Sequence, residues 1–298
     1  MPNVEITASE IDALMISDRR SLDYVVADVK TNVKKWAYLH DAHMDKPNKA
    51  KESLFPTYRP VLEQRASDFE GIMVPTVEQK RDIEMRNNQL KVITVPDTFE
   101  ETIKLTKKVN RIENHILMVS RLSPEKRPEN AIRILAKLRK VNPDATLEFV
   151  GYPADKKYQE TLTTLVAKER LTDYVTFSGF KQGNELSKAY QSAAVVIQTS
   201  QHEGFGLSTV EAFGYGVPVV SYDINYGPRD LIENGINGYL IDNNNIHDFA
   251  EKLNAVLTDS DLQAKLREGA LNTAKEYTRL NVATQWEDII TELQTVAN

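Results

Sequence analysis

Short apolar runs alternate with longer segments of helical periodicity along most of the chain. The clearest run, AAVVIQTS, opens with five apolar residues and is followed by a glycine-rich loop. A continuous run of this kind predicts a strand that is buried on both faces, as in a parallel sheet. The runs that predict strands in the second half of the chain are 115–122, 146–153, 174–180, 193–200, 217–223 and 238–242.

The segments between these runs carry apolar residues at the spacing of a helix. Within 128–141 they recur at Ala131, Ile134, Leu135 and Leu138, which form one helical face. Further helices are predicted around 162–166 and 184–192, and two more close the chain. Alternation of strands and helices predicts a doubly wound, mostly parallel sheet with helices on both faces.

The first part of the chain shows the same alternation with fewer strands. Strands are predicted at 13–18, 36–41, 71–76 and 91–96, with a helix rich in Glu, Gln, Lys and Arg at 77–87. Four strands are few for a complete doubly wound domain. Residues 97–114 are polar, show no core-forming stripe and predict a linker. We therefore expect an α/β protein with a partial first domain, residues 1–110, and a complete second domain, residues 111–298.

Composition narrows the classes of function. The net charge of −6 disfavours general nucleic-acid binding. The absence of cysteine removes disulfides, cysteine metal sites and thiol nucleophiles. The N-terminus lacks the order of a signal peptide, and no window reaches the roughly 18 apolar residues of a membrane-spanning helix. These features predict a cytoplasmic protein.

The strongest candidate site is the stretch TSQHEGFGLSTVEAFGYGVP, which starts at Thr199. Glu203 and Glu211 stand eight positions apart, with Gly-Phe-Gly directly after Glu203. Ser208 and Glu211 have the spacing of a capping box, which predicts a helix that starts near Leu207 with Glu211 in its first turn. Free N–H groups of the loop and helix start could then hold an anion, with Glu203 beside it. The alternative is that Glu211 is only a cap and Glu203 a solvated loop acid.

Other candidate residues follow neighbouring strands at the same edge of the predicted sheet. Arg121 and Lys126 come after the strand at 115–122, and Gly227-Pro228 opens a helix after the strand at 217–223. Ligands of such sheets bind at the carboxyl ends of the strands. Two cations and two helix N-termini at one crevice favour a diphosphate site. The alternative for Arg121 and Lys126 is a solvated turn.

These motifs resemble a known family. The combination of Arg121-x4-Lys126 with EGFGLSTVE and YGP closely resembles the donor-binding domain of family 4 retaining glycosyltransferases, which have the GT-B fold. The resemblance covers about residues 114–298. Residues 16–96, with LHDAH and VPTVEQKRDI, look like the latter part of the acceptor domain. Within the family the chain is most similar to the branch of poly(glycerol-phosphate) and other teichoic-acid α-glucosyltransferases.

The resemblance implies catalytic roles for four residues. Arg121 and Lys126 match the pair that neutralises the donor diphosphate, and Glu203 matches the acid that faces the donor sugar. His40 matches a histidine that reaches across the cleft to that sugar; the alternative is a hydrogen-bonded histidine at a strand end. No acidic metal-binding motif occupies the crevice, so the resemblance implies no metal and no further cofactor.

The resemblance also implies residues that bind the nucleotide. Glu211 matches the acid that bonds the ribose hydroxyls, and Phe180 and Lys181 would lie near the uracil. Backbone amides that hold phosphate or sugar are matched by Phe205, Gly206 and Leu207.

The implied reaction is the metal-independent transfer of glucose or N-acetylglucosamine from a UDP-sugar, with retention and front-face attack. The acceptor would be a cell-envelope polymer such as poly(glycerol phosphate), or another glycan, and the protein would lie in the cytoplasm or at the inner face of the membrane. The family's glycine-rich first loop has no counterpart before Ile16, so we expect an N-terminally truncated chain whose open sheet is covered by self-association or a partner subunit. The alternative is a non-catalytic nucleotide-sugar-binding or assembly subunit, or a fragment of a split glycosyltransferase.

Overall fold

The computed structural model describes residues 13–16, 34–43, 58, 62–63, 67, 69–99 and 111–295. The predicted residues Ser17 and Asp18 of the first strand lie outside these ranges, as do residues 100–110 of the predicted linker. Within the described residues the chain forms two parallel sheets, each with its own helices. We refer to them as the first and second units.

The first unit is a four-stranded parallel sheet in sequential order. Its elements are β1 (Ala13–Ile16), β2 (Lys34–Tyr38), β3 (Gly71–Val74), helix α1 (Val77–Arg86) and β4 (Val92–Thr94). Gly71 lies opposite Trp36, and a Cβ atom at Gly71 would stand 2.3 Å from the indole ring. Only glycine therefore lets the large Trp36 ring cover this strand.

The second unit is a six-stranded parallel sheet in the order β10-β9-β8-β5-β6-β7. Its strands are β5 (His115–Val119), β6 (Thr146–Val150), β7 (Val175–Phe177), β8 (Val195–Gln198), β9 (Val219–Tyr222) and β10 (Gly238–Ile241). Its helices are α2 (Pro128–Leu138), α3 (Lys156–Lys168), α4 (Gly183–Ser192), α5 (Leu207–Gly214), α6 (Pro228–Leu231), α7 (Ile246–Thr258) and α8 (Ser260–Glu276). This arrangement confirms the predicted α/β fold of alternating strands and helices.

Helix α2 shows why the apolar pattern was informative. Ala131, Ile134, Leu135 and Leu138 are all at most 1% exposed and pack in the same core as strands β5 and β6. Burial of each large aliphatic side chain contributes about 1.5–3 kcal/mol. The carboxyl ends of β5 and β8, which adjoin in the middle of the sheet, are thereby held rigidly.

The two units are joined by side chains that cross between them. Tyr226, in the loop after β9, packs in the apolar core of the first unit, and its hydroxyl donates to Asp82 on α1 at 2.6 Å. The Tyr226 ring stacks on His43 with centroids 5.1 Å apart. Burial, aided by the charge of Arg86, lowers the pKa of His43 to about 3, so its ring is neutral. The contact is therefore apolar and does not depend on a charge at His43.

The last helix, α9 (Arg279–Thr295), lies against the first sheet. Trp286 meets the ring of Tyr38 edge-on, with centroids 6.2 Å apart, and Ile289 is buried among residues of β2 and β3. The chain thus begins and ends in one packed layer over the first unit. Among the helices that the structure describes, none is both long and apolar enough to cross a membrane.

The interpretation of residues 97–114 as a linker without core contacts is wrong at both described ends. Phe99 is buried in the core of the second unit. The Arg111 guanidinium donates to the carbonyls of Ala193 and Tyr215, both at 2.7 Å, and burial lowers its pKa to about 10. One aromatic and one arginine create no periodic pattern, so the sequence gave no sign of these contacts.

Candidate functional site

A cavity of about 670 Å³ lies between the two units at the carboxyl ends of β5 and β8. It contains most of the residues that sequence reasoning selected, from both units. The predicted site residues that line it are His40, Arg121, Lys126, Glu203, Phe205, Gly206, Leu207 and Glu211. Phe180 and Lys181 are outside this lining.

Lys126 and Glu203 form an ion pair in the wall of the cavity. The Lys126 ammonium lies 2.7 Å from Glu203 Oε1, and their side chains are only 20% and 13% exposed. The hydroxyl of Ser200 donates to the same carboxylate oxygen at 2.6 Å. The alternatives of a solvated lysine and a solvated loop acid are therefore wrong for this pair. Both charges are partly desolvated, which strengthens their electrostatic interactions.

Arg121 is the more exposed of the two cations. Its side chain is 68% exposed, and its guanidinium donates to Glu125 at 2.7 Å, an oxygen that also accepts from Ser123 at 2.6 Å. Burial acts to raise the pKa of Glu125, but the bonds from Ser123 and from its own backbone, with the charges of Arg121 and Lys126, lower it. Glu125 therefore remains ionised and holds Arg121 at the rim of the cavity.

Thr199 ties together the two loops that carry these charges. Its hydroxyl lies 2.9 Å from the carbonyls of both Lys126 and Arg127, and the Gln201 amide donates to the Glu125 carbonyl at 2.7 Å. Arg127 has the left-handed φ of 49° that ends the short turn after β5. Sequence reasoning missed Thr199, since a polar residue at the end of an apolar strand can serve many purposes.

Helix α5 begins at Leu207, as predicted, but the capping box is wrong. Gly206 is the N-cap with φ 97°, a left-handed conformation that favours glycine, and makes no side-chain cap. The Ser208 hydroxyl instead accepts from Gln198 at 2.8 Å. Glu211 is the fifth residue of the helix, beyond its first turn. The turn at Gly206 starts the helix two residues before Ser208 could cap it.

Glu211 is held by a buried tyrosine. The hydroxyl of Tyr190 donates to Glu211 Oε2 at 2.7 Å, and Tyr190 is fully buried and stacked on Tyr215. Burial, followed by the charge and hydrogen bond of Glu211, raises the pKa of Tyr190 far above its usual value. Tyr190 is thus a permanent donor that orients the Glu211 carboxylate at the cavity wall.

His40 enters the cavity from the first unit. Its Nδ1 lies 3.8 Å from Asp97 Oδ1, and its ring lies 4.0 Å from that of Tyr38. Asp97 is also 3.2 Å from the Tyr38 hydroxyl. The His40 side chain is 45% exposed, so it is supported on one side and open on the other.

The first unit touches the glycine loop most closely at Gly204. A Cβ atom on this residue would stand 1.9 Å from the His40 carbonyl oxygen and 2.9 Å from the Asp41 Cα. Real contacts of that kind do not occur, so any side chain here must push the two units apart. Gly204 therefore allows the His40 segment to lie directly on the loop that carries Glu203.

Phe180 and Lys181 form a separate group beyond β7. Lys181 is ion-paired with Glu148, whose other oxygen lies 3.2 Å from His115 Nε2. The His115 bond, with bonds from Lys181 and Ser178, lowers the pKa of Glu148 to about 2 against the effect of burial. Phe180 is 52% exposed and stacks on Tyr152. This places both residues next to the β5–β6 edge of the sheet and outside the cavity lining.

One group of potential metal ligands occurs within the described residues, away from the cavity. His247, Asp248 and Glu251 stand on the exposed first turns of α7. None of the three lines the cavity. The polar groups at the cavity are instead two cations and several carboxylates.

Two parallel α/β units with a charged cavity between them define the chain as a protein of GT-B fold, the architecture also found in its structural neighbours. The family description "Glycosyl transferases group 1" matches residues 100–273, more than half of the chain. The protein belongs to this family.

Two curated relatives are polymer-modifying transferases. The chain is 27% identical to the poly(glycerol-phosphate) alpha-glucosyltransferase of Bacillus subtilis over 277 residues, which is 92% of this chain and 40% of the relative. It is also 27% identical to the poly(ribitol-phosphate) alpha-N-acetylglucosaminyltransferase of Staphylococcus aureus over 256 residues, covering 86% and 50% of the two chains. The chain therefore spans about half the length of these relatives or less.

A solved structure shows the same fold. Staphylococcus aureus TarM, crystallised with fondaparinux, alpha-GlcNAc-glycerol and UDP, superimposes with a TM-score of 0.81 at 24% identity. The match covers 92% of this chain and 54% of TarM.

Proposed function

We propose that this chain is a retaining glycosyltransferase of family 4 that moves glucose or N-acetylglucosamine from a UDP-sugar to an acceptor hydroxyl. The observation that supports this most is the convergence of Arg121, Lys126, Glu203 and Glu211 on one cavity, with His40 facing them from the other unit. Cations suit a diphosphate, and carboxylates suit sugar and ribose hydroxyls. This donor set is the one that transfer from a nucleoside diphosphate sugar requires.

The cations act on the leaving group. As the bond between the sugar C1 and the phosphate oxygen breaks, negative charge grows on the diphosphate, and Arg121 and Lys126 stabilise that charge. Backbone amides at Phe205, Gly206 and Leu207 add neutral donors next to the start of α5, where the helix dipole favours an anion. Catalysis by these groups requires no proton transfer from the protein.

The acceptor attacks from the same face that the diphosphate leaves. The new bond joins C1 to the acceptor oxygen, and the acceptor proton passes to the departing phosphate oxygen. Glu203 positions the sugar through its hydroxyls and does not attack C1. His40 bonds the sugar from the opposite wall, and Glu211 holds the ribose.

The names of the relatives support a polyol-phosphate polymer as acceptor. Both curated relatives act on poly(glycerol phosphate) or poly(ribitol phosphate), and their sugars are glucose and N-acetylglucosamine. We propose the same acceptor class here, reached in the cytoplasm or at the inner face of the membrane.

The second candidate is a non-catalytic nucleotide-sugar-binding or assembly subunit. It is favoured by the share of the relatives that this chain covers, 40% and 50%. Incubation of the purified chain with UDP-glucose and UDP-N-acetylglucosamine separates the two candidates. Release of UDP, increased by added poly(glycerol phosphate), supports the enzyme; UDP binding without release supports the subunit; neither result is compatible with a donor site.

Transfer should survive chelation of divalent metals. Arg121 and Lys126 already supply positive charge where a metal would neutralise the diphosphate, and the cavity wall holds no set of three potential ligands among the described residues. UDP release should stay within about twofold after EDTA treatment. Activity that stops with EDTA and returns with magnesium or manganese would contradict the diphosphate assignment.

Gly204→Ala should slow transfer strongly. The new methyl group would overlap the His40 carbonyl, and movement of the His40 segment would spoil alignment across the cavity. A misplacement of about 1 Å can lower kcat by about a hundredfold. Gly183→Ala is the control, because Gly183 has a left-handed φ of 51° but open space around it. Equal turnover of both variants would argue that the close contact is unimportant.

A further inference from the structure

The N-terminus of α1 is capped from the other unit. The Asp230 carboxylate, on α6, accepts from the backbone amides of Val77 at 2.7 Å and Glu78 at 3.2 Å. The usual local cap is present as well, because the Thr76 hydroxyl accepts from Gln79 N at 3.2 Å. First-turn amides lack partners within their own helix, and a carboxylate there also complements the helix dipole. Asp230 thus completes the α1 cap across the gap between the units.

Asp230 is itself fixed to the glycine loop of the cavity. Gly227, three residues earlier, has φ 76°, and a Cβ atom on it would stand 2.3 Å from the Phe205 carbonyl. The segment that starts α6 therefore lies directly against Phe205. This close approach couples the position of Asp230 to the loop between Glu203 and α5.

The path returns to the cavity through α1. Gln79 in its first turn is fully buried, and its amide nitrogen donates to the Asp41 carbonyl at 2.9 Å. Asp41 follows His40, whose own carbonyl packs on Gly204. Movement of the α1 start would therefore move the backbone that carries His40.

We propose that Asp230 is a positioning residue for the glycosyl transfer proposed above. It holds α1, and through Gln79 the His40–Asp41 segment, in register with the donor cavity without lining that cavity. Tyr226 docks the same helix independently through Asp82, so loss of Asp230 loosens the alignment and leaves the units associated.

The test compares two aspartates that cap helices. Asp155 accepts from Tyr158 N at 2.7 Å at the start of α3, wholly inside the second unit, which makes Asp155→Ala a matched control. Asp230→Ala should speed hydrogen exchange of the Val77 and Glu78 amides by about tenfold, a factor that corresponds to about 1.4 kcal/mol. Asp155→Ala should leave these two amides unchanged. Asp230→Asn, which keeps an acceptor oxygen, should fall between them.

The kinetic readout separates positioning from stability. In Asp230→Ala, kcat for UDP-sugar consumption should fall by about ten- to a hundredfold while the Kd for UDP stays within about twofold. Gln79→Leu should lower kcat similarly, and the double variant should fall little further, because both residues act on one path.

Three results would overturn the proposal. These are unchanged amide exchange in Asp230→Ala, an equal loss of kcat in Asp155→Ala, or fully additive effects of Asp230→Ala and Gln79→Leu. If the wild-type chain neither binds UDP nor consumes UDP-sugar, the proposed function fails, while exchange at Val77 and Glu78 still decides whether the inter-unit cap exists.

Discussion

Replacing Arg121 and Lys126 together by alanine is expected to weaken UDP binding by at least about a hundredfold. Each cation should make charge-assisted hydrogen bonds to the diphosphate worth about 1.5–3 kcal/mol, which is about ten- to a hundredfold per residue. Lys126 should contribute more, since it is 20% exposed while Arg121 is 68% exposed and more screened by solvent. Titration calorimetry with UDP measures the loss directly.

The control for this prediction removes the same charges elsewhere. Arg133 and Lys137 are exposed on α2 and do not line the cavity. The variant Arg133→Ala with Lys137→Ala should bind UDP like the wild type. Equal weakening in both double variants would mean that net charge, and not the cavity, governs affinity. Unchanged affinity in the Arg121 and Lys126 variant would remove the diphosphate site from these residues.

The sequence could predict the sheets because burial leaves a regular trace. Strands buried on both faces are continuous apolar runs, and α2 repeats its apolar face at helical spacing. The meeting of Lys126 and Glu203 was predictable for a related reason. Both follow strands of one parallel sheet, and carboxyl ends of parallel strands share an edge. Strand order itself, which makes β5 and β8 neighbours, required the structure.

The missed contacts depend on single residues at sites of close approach. The Ser208–Glu211 spacing is that of a capping box, yet Gly206 turns the chain first and Tyr190 binds Glu211. A short motif describes local chemistry and cannot exclude a distant competitor. Gly204 has the same limitation: its sequence suggests a loop, whereas its contact with His40 is made 164 positions away in the chain.

Contacts between the units are the least predictable part of the site. Asp230 follows a glycine-proline turn and could equally be a solvated helix acid, and Asp97 lies in a stretch that looks like a linker. Neither belongs to a periodic pattern, because each serves one geometric purpose. Burial raises the pKa of Asp230, a consequence of its place between the units that only coordinates can reveal.

Glu203→Gln and Glu211→Gln are expected to have opposite kinetic effects. Glutamine keeps the shape and an acceptor oxygen, so Ser200 can still donate at position 203 and Tyr190 at position 211. Both variants should therefore fold, and each removes one negative charge. They serve as controls for each other.

Glu203→Gln should lower kcat by about ten- to a hundredfold without weakening UDP binding. The Glu203 carboxylate is proposed to bond the sugar, whose charge changes in the transition state, and loss of a charged bond of about 1.5–3 kcal/mol there appears in kcat. The variant also frees Lys126 from the carboxylate that lies 2.7 Å away, which favours its interaction with the diphosphate. Glu211→Gln should instead raise the Kd for UDP by about tenfold or more, because the ribose is bound equally in the ground and transition states. Stopped assays of UDP release, together with calorimetric Kd values for both variants, measure the split. If both substitutions weaken UDP binding and leave kcat unchanged, Glu203 belongs with the nucleotide and the proposed contact with the sugar is wrong.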